Sequence, residues 1–247
     1  MECFYKTDIG TVRDANEDFV FASQEPVGSL QNLFLVADGM GGHQGGEYAS
    51  RYVVERLVRL VAENKKRNPV TILNEAIAQV NSELREQSSS NDNLDGMGTT
   101  LVAATIQDRT LYVANIGDSR LYLVGRQCRQ VTRDHSWVEE MVNEGKLEKN
   151  SEIYWKKKNI ITRAIGVADE VNADFFEVDM QPGDKILMCT DGLSNMVTDH
   201  QITEILSEHF PLEQLGLNLI KQGMINGGRD NISVILVDPE RSEVTAC

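Results

Sequence analysis

The alternation of apolar and polar positions divides the chain into helix-like and strand-like segments. Residues 46–63 and 70–86 carry apolar side chains at helical spacing, for example Val53 and Leu57 in the first stretch and Val80 in the second. We predict two amphipathic helices in succession. Such a pair would lie antiparallel on one face of a sheet.

Short apolar runs fill most of the remaining chain and are typical of strands. They lie at residues 3–7, 33–37, 99–106, 111–116, 120–124, 129–132, 160–164, 173–179, 185–190 and 232–238. The connections between 99 and 132 are too short for crossover helices, so we expect these strands to pair antiparallel. Between the apolar runs, residues 88–98 indicate a loop and 145–159 an irregular excursion.

Two capping patterns predict further helices. Ser136-x-x-Glu139 and Thr198-x-x-Gln201 each precede a run with apolar residues at helical spacing, and 211–225 is a last helical stretch. Helices segregated from antiparallel strands indicate an α+β fold. We predict two packed antiparallel β-sheets flanked by pairs of α-helices, in one domain over residues 1–240 with a short tail at 241–247.

Composition narrows the class of protein. The chain has 247 residues and a formal net charge of −14, which argues against binding to nucleic acid. The four cysteines have no C-x-x-C spacing, so we expect neither a disulfide framework nor a thiolate zinc site. We find no signal-peptide pattern and no membrane-length apolar stretch, and therefore expect a cytoplasmic protein.

Three aspartates occupy similar places at the ends of apolar runs. Asp38 and Asp191 each follow such a run and precede glycine, and Asp230 precedes the last run. Any one of them alone could be an ordinary turn residue. Together they can meet at one rim of a sheet, where converging carboxylates require cations. All-oxygen ligation suits Mg²⁺ or Mn²⁺, so we predict a metal-dependent hydrolase of phosphate esters.

Three further features leave alternatives open. Asp118 could join the cluster or be a hairpin residue. The glycine-rich stretch 39–46 could cradle phosphate, or could let the backbone approach closely so that the Gly39 carbonyl reaches a metal on Asp38. Arg13 could clamp a phosphate or make ion pairs in a solvated loop.

Several nucleophile motifs are absent from the sequence. No cysteine is followed six positions later by arginine, no two aspartates lie two residues apart, and no G-x-S-x-G occurs. The four histidines form no ligand pair at helical spacing, and lone histidines in such loops are more often structural. Water activated by metal is therefore the simplest mechanism.

At this point the sequence resembles a known family, the metal-dependent serine/threonine protein phosphatases of type 2C in their compact bacterial form. The resemblance covers essentially the whole chain and is carried by seven motifs in order. They are TDIGTVRDANEDF (7–19), VADGMGGHQGG (36–46), GTTL (98–101), ANIGDSRLY (114–122), ITRAIG (161–166), CTDGL (189–193) and GRDNISV (228–234). It implies two antiparallel sheets flanked by helix pairs and a flap near the site at about 145–160.

The resemblance also implies roles for individual residues. Asp38 would bridge two core Mn²⁺ or Mg²⁺ ions, the Gly39 carbonyl would bind one of them, and Asp191 and Asp230 would hold the other. Asp118, with Asp191, matches a third metal position, and Arg13 matches a phosphate-binding arginine. Three more residues would not bind the ions directly but would hold the metal-bound waters or the ligands in place: Glu17, Asp18 and Asn231.

The implied activity is hydrolysis of phosphoserine and phosphothreonine monoesters by a metal-bridging hydroxide. Phosphorylated proteins would be the partners, a Ser/Thr kinase among them, and a monomer is expected. Met40 stands where eukaryotic members have a candidate general acid, so that role stays unassigned, with His43 a poorer candidate than a metal-bound water. Two rivals are a regulatory pseudophosphatase that only binds phosphoproteins and a phosphatase of small phosphoesters.

Overall fold

Four layers make up the part of the chain that the computed structural model describes, residues 1–41, 45–91 and 94–240. Two antiparallel sheets pack face to face, and a pair of long helices covers the outer face of each. This is the arrangement predicted from the sequence, and it is confirmed.

The first sheet has strand order β1-β11-β10-β7-β8, so that the first and last strands of the chain are neighbours. Its strands are β1 (Glu2–Asp8), β7 (Arg120–Val124), β8 (Cys128–Gln130), β10 (Lys185–Cys189) and β11 (Ile232–Asp238). The second sheet has the order β2-β3-β5-β6-β9, with a two-residue strand, β4, paired to the end of β3. Its strands are β2 (Asp18–Ser23), β3 (Leu33–Met40), β4 (Gly98–Thr99), β5 (Leu101–Gln107), β6 (Thr110–Ile116) and β9 (Asp174–Asp179).

Four long helices form the outer layers. The second sheet carries α1 (Gly45–Glu63) and α2 (Pro69–Ser90), and the first sheet carries α6 (Asp199–Ser207) and α7 (Leu212–Ile225). Within the ranges that the structure describes, three short α-helices lie in the connections: α3 (Trp137–Asn143), α4 (Glu152–Lys157) and α5 (Asp191–Ser194).

The alternation of side chains along β3 shows how the layers are joined. Leu33 and Leu35 pack under α1 and α2, whereas Phe34 and Val36 point into the layer between the sheets. Successive residues of a strand face opposite sides, so a run that is apolar at every position is buried on both. The apolar run 33–37 is therefore the sequence signature of a strand buried on both faces.

One predicted strand pairing is wrong, and it concerns the segment that contains Asp118. We expected all the short strands from 99 to 132 to pair with their neighbours. β6 and β7, however, lie in different sheets, and the loop between Ile116 and Arg120 crosses from one sheet to the other. The four-residue step is long enough to pass between face-packed sheets about 10 Å apart. Asp118 is therefore not a hairpin residue.

Segments without clear periodicity were predicted less well. The expected loop at 88–98 begins later, because α2 continues to Ser90, and its residues 92 and 93 lie outside the described part of the chain. No strand forms at 160–164 in the described chain, where Ile161 makes only an isolated bridge to Ser136.

The segment 145–159 is not wholly irregular, because it contains α4. Ser151 caps this helix by accepting a hydrogen bond from the Tyr154 backbone N–H, and the buried Tyr154 hydroxyl donates to Glu139 at 2.5 Å. One buried aromatic side chain in a six-residue helix leaves no detectable period. Since the Glu139 carboxylate binds Tyr154, we find only the first half of the expected capping box at Ser136, whereas the box at Thr198 is complete.

Two exclusions made from the sequence can be compared with the structure. No helix in the described ranges is long and apolar enough to cross a membrane. Among the described cysteines, Cys3, Cys128 and Cys189 are free thiols. Cys247 belongs to the predicted tail at 241–247, which lies outside the described residues.

Candidate active site

A pair of aspartates on neighbouring strands forms the centre of the site. Asp18 on β2 stands directly opposite Asp38 on β3 in the antiparallel register. Asp18 is 6% exposed, and burial raises its pKa to about 7; hydrogen bonds from Ser233 and Thr190 oppose the shift. Like charges directly opposite each other destabilise a sheet. A bound cation would relieve this repulsion.

Three more aspartates act on this pair. The pKa of Asp38 is raised well above its usual value, first by burial and then by the negative charges of Asp18, Asp191, Asp118 and Asp230. The three aspartates singled out in the sequence thus converge, with Asp118 and Asp18 beside them. Had Asp38, Asp191 and Asp230 pointed into separate regions, the idea of a shared ion site would have failed.

The aspartates are close enough for their charges to raise the pKa of Asp38, but their side chains do not form a complete set of metal ligands. Among the described residues, no group of three or more His, Cys, Asp or Glu side chains is arranged to hold a metal ion. Of the three aspartates predicted from the sequence, two accept a hydrogen bond from a protein side chain: Asp230 Oδ2 accepts from Arg13 at 2.8 Å, and Asp191 Oδ2 accepts from Asn195 at 2.9 Å. The possible donors are carboxylate oxygens, which are hard, negatively charged ligands, and ligands of this kind fit Mg²⁺ or Mn²⁺.

Close backbone approach explains the glycine that follows Asp191. Asp191 opens the short helix α5 at the end of β10, next to the segment that leads into β11. A Cβ atom on Gly192 would lie 1.9 Å from the Asn231 carbonyl oxygen, a distance that no side chain can tolerate. Glycine at this position therefore lets the Asp191 and Asp230 segments come together. The Asp-Gly pair forms the start of a helix here and is not a simple turn.

Gly39 serves a similar purpose on β3, which continues past Asp38 to Met40. The Gly39 N–H donates to the Glu17 carbonyl at 3.0 Å, and a Cβ on Gly39 would lie 2.0 Å from the Gly46 carbonyl oxygen. The N-terminal end of α1 can therefore abut the strand that carries Asp38. This supports close backbone approach as the reason for glycine here; metal binding by the Gly39 carbonyl stays a prediction.

Asp118 is 8% exposed and lies in the loop between the two sheets. Its pKa is raised well above the usual value, first by burial and then by the charges of Asp191 and Asp134. His135 braces the loop from both sides, because its Nδ1 accepts from the Gly117 N–H at 3.1 Å and its own backbone N–H donates to the Gly117 carbonyl at 2.9 Å. His135 is thus structural, as expected for a lone histidine.

Arg13 lies on a loop that Asn231 fixes in place. The Asn231 amide nitrogen donates to the carbonyls of Ile9 and Ala15, both at 2.9 Å, and its oxygen accepts from the Glu17 N–H at 2.9 Å. The Arg13 guanidinium is about half exposed and donates to Asp230, and this hydrogen bond raises the pKa of Arg13. Asn231 therefore positions the arginine loop; its predicted role with metal-bound water stays a prediction.

Glu17 lies between this loop and α1. Its carboxylate is close to the backbone of Gly46, and burial raises the pKa of Glu17, with the charges of Asp230 and Glu47 adding to the shift and Arg13 opposing it. Glu17 and Asp18 therefore both lie beside the strand end that carries Asp38. Their proposed task of ordering metal-bound water stays a prediction, and His43 lies outside the described residues.

The backbone around Asp38 is held by threonines that the sequence analysis did not single out. The Thr100 hydroxyl accepts from the Asp38 N–H at 3.0 Å and is bonded to the Ser119 hydroxyl at 2.8 Å, while the Thr99 hydroxyl donates to the Asp38 carbonyl at 2.9 Å. These contacts join the Asp38 strand to the Asp118 loop. Both threonines belong to the GTTL motif at 98–101, which contributed to the family resemblance but gave them no role of their own.

A second positioning pair was also missed, Arg120 and Asp134. Arg120 Nε and Nη2 donate to the Asp134 carboxylate at 2.6–3.0 Å, and Nη1 donates to the Tyr122 hydroxyl at 2.9 Å. This bidentate pair ties the start of β7, directly after the Asp118 loop, to the segment that follows β8. Their separation of fourteen residues left no local pattern in the sequence.

Comparisons with known proteins identify the family. A model of the protein phosphatase 2C family matches residues 12–216. A serine/threonine phosphatase, stp, of Listeria monocytogenes is 38% identical over 98% of both chains. The crystal structure of the serine/threonine phosphatase Stp1 from Staphylococcus aureus superposes with a TM-score of 0.90 at 32% identity, covering 97% of this chain and 95% of that one.

A further solved structure shows the catalytic domain of the serine/threonine protein phosphatase PstP in complex with two manganese ions. It superposes with a TM-score of 0.82 at 33% identity and covers 95% of this chain and 96% of that one. The coverage shows that the similarity extends over nearly the whole fold. The chain therefore belongs to the protein phosphatase 2C family and is a serine/threonine protein phosphatase.

Proposed function

We propose that this chain hydrolyses phosphoserine and phosphothreonine monoesters in proteins with two Mn²⁺ or Mg²⁺ ions held by Asp38, Asp191 and Asp230 and the Gly39 carbonyl. The observation that carries the proposal is the convergence of four aspartates on Asp38. Burial and then the charges of these neighbours raise the pKa of Asp38, and Asp18 stands directly opposite it. Such an arrangement is costly unless cations neutralise it. The two manganese ions of the related PstP structure support the same assignment.

The ions would supply the activated water nucleophile and part of the charge neutralisation of the phosphate. The protein's own groups would hold and orient the substrate. Arg13 is exposed and its loop is fixed by Asn231, so its guanidinium can exchange Asp230 for a phosphate oxygen. Planar, bidentate donors suit phosphate geometry. In this role Arg13 would bind the substrate and stabilise charge on the equatorial oxygens.

Asp38→Asn tests the proposal, with Asp14→Asn as a control in an exposed part of the Arg13 loop. We expect Asp38→Asn to lose Mn²⁺-dependent hydrolysis of a phosphothreonine peptide while keeping its circular dichroism spectrum. Asp14→Asn should keep both. Turnover by Asp38→Asn at the wild-type rate would overturn the assignment.

Two measurements separate the rival functions. A pseudophosphatase shows no turnover, whereas the proposed enzyme loses turnover in EDTA and regains it with Mn²⁺. A phosphatase of small phosphoesters would prefer sugar phosphates to the phosphothreonine peptide. The relatives named as serine/threonine phosphatases favour the peptide.

We also propose a third ion beside Asp118 and Asp191, which share one cavity. Asp118→Asn should keep binding of the two core ions and lose much of its turnover; unchanged kinetics at saturating Mn²⁺ would argue against a third ion.

We further propose that a Ser/Thr kinase is among the physiological substrates, that the protein acts in the cytoplasm as a monomer, and that residues 1–240 act as one catalytic domain. Sedimentation of the purified chain and phosphoproteomics of a deletion strain would test these points.

A further inference from the structure

Three consecutive lysines in the flap, residues 145–160, have three different partners. Lys156 makes an ion pair with Glu152 inside α4. Lys157 lies over the ring of Trp137, with its ammonium nitrogen 4.7 Å from the ring centroid. Lys158 donates to Asn195 Oδ1 at 2.8 Å and also lies over the Trp155 ring at 4.9 Å. The run is therefore not a uniform solvated patch, since Lys158 alone of the three bonds to a residue beside a predicted metal ligand.

The contact with Asn195 leads directly to that predicted ligand, Asp191. Asn195 follows α5, and its backbone N–H donates to the Asp191 carbonyl at 2.7 Å while its side-chain amide donates to Asp191 Oδ2 at 2.9 Å. Asn195 is thus held against Asp191 at two points. Lys158 is bonded to the carbonyl oxygen of the same amide, so a short chain of hydrogen bonds connects the flap to Asp191.

Lys158 also shares a cavity with the two carboxylates of the proposed third ion site. A cavity of about 450 Å³ between the flap and the site is lined by Lys158, Asp118, Asp191 and Asn195, among others. Arg120 lines it too, but its guanidinium is bound to Asp134 and Tyr122. Lys158, in contrast, is held by the neutral amide of Asn195.

Neighbouring charges shift the pKa of Lys158 in opposite directions. Burial lowers its pKa below the usual value, and the positive charges of Arg120 and Arg229 add to this effect. The charges of Asp191 and Asp118 favour the ammonium form. The two carboxylates of the proposed third ion site thus already interact with a positive charge that belongs to the chain itself.

We propose that Lys158 is a positioning residue that docks the flap over the Asp118 and Asp191 end of the site and competes there with a divalent ion. This inference rests on the proposed metal-binding role of these two carboxylates. A divalent ion brought to them repels the ammonium, so ion binding and flap docking oppose each other. By linkage, each must weaken the other by the same factor. The flap would therefore be closed in the enzyme with two ions and released in the enzyme with three.

The two tryptophans of the chain make the flap observable, because both lie beside flap lysines. In a Trp137→Phe background, the fluorescence of Trp155 reports the approach of Lys158. Mg²⁺ can be titrated without quenching, and calorimetry on the same proteins counts the bound ions. The variants are Lys158→Met and a control, Lys156→Met, which removes one positive charge from the same segment and leaves the contacts of Lys158 with Asn195 and Trp155 in place.

We expect Lys158→Met to bind the weakest Mg²⁺ roughly tenfold more tightly, the scale expected when one like charge is removed nearby at a partly exposed site. The Mg²⁺-dependent change of Trp155 fluorescence should disappear in this variant and persist in Lys156→Met. Lys158→Arg keeps the charge and should restore the wild-type affinity and signal, which also excludes misfolding as the cause.

Equal affinity for the weakest ion in Lys158→Met and Lys156→Met would overturn the inference, as would the binding of only two ions by both. In either case, turnover and binding of the core ions in the wild type would leave the proposed function intact. A wild type that binds no Mg²⁺ and has no turnover would remove both the proposed function and the inference.

Discussion

Asp18→Asn tests how much the ionised Asp18 carboxylate destabilises the folded protein. The substitution preserves size and keeps an oxygen to accept the hydrogen bond that the Thr190 hydroxyl donates to Asp18 Oδ2 at 2.8 Å. It removes one negative charge directly opposite Asp38. We therefore expect the variant to be more stable than the wild type when divalent ions are absent.

The magnitude follows from the pKa of Asp18, which rises from 3.8 to about 7 in the folded protein. A shift of about three pKa units corresponds to an unfavourable ~4 kcal/mol for the ionised folded form. Burial of the carboxylate is the main cause of this shift, and the negative charges of Asp191 and Asp230 add to it. Because asparagine at this position is buried as well but carries no charge, we expect a gain of about 2–4 kcal/mol at about pH 8. The pKa of Asp18 is higher in the folded protein than in the unfolded chain. Its contribution to the free energy of unfolding is therefore fully present below about pH 3.8 and is lost as the pH rises through about 7.

The assay is urea unfolding in EDTA at about pH 5 and about pH 8, with Asp14→Asn as the control. Asp18→Asn should gain most at the higher pH and less at the lower one. Addition of saturating Mg²⁺ should reverse the order, because the wild type binds the ion more tightly and binding stabilises the folded state. If Asp18→Asn is no more stable than the wild type at about pH 8 in EDTA, burial and the neighbouring carboxylates do not destabilise the ionised Asp18 as described.

Three other substitutions probe the framework of the site. Gly192→Ala should destabilise the fold by on the order of 3 kcal/mol and lower Mg²⁺ affinity, since its Cβ would meet the Asn231 carbonyl at 1.9 Å; wild-type melting and calorimetry curves would contradict this. Asn231→Leu removes three hydrogen bonds to the Arg13 loop and should raise KM for a phosphopeptide several-fold; unchanged KM would show that the loop needs no brace. Phe34→Ala leaves a cavity between the sheets and should cost about 3–5 kcal/mol in urea unfolding, with Mg²⁺ affinity retained; a smaller loss would mean that the layer collapses around the gap.

The pattern of apolar positions was sufficient for the layered architecture. Strands buried on both faces are continuous apolar runs, such as 33–37, and α1 and α2 carry apolar stripes that match their buried faces. These signals are local, since each depends on a few neighbouring residues and on the period of one element. Predictions failed where an element was too short to show a period, as in α4, and where neighbours in sequence joined different sheets, as in β6 and β7.

The sequence by itself determined the identity of the acidic residues, because Asp38, Asp191 and Asp230 share the context of a strand end and a tight backbone. It also predicted hard oxygen ligands, from the type of side chain alone. Only the tertiary structure decided which groups face them. The register of β2 on β3 puts Asp18 opposite Asp38, and the crossing between sheets brings in Asp118. Contacts of this kind depend on how remote segments pack, and packing over such distances leaves no periodic trace in the chain.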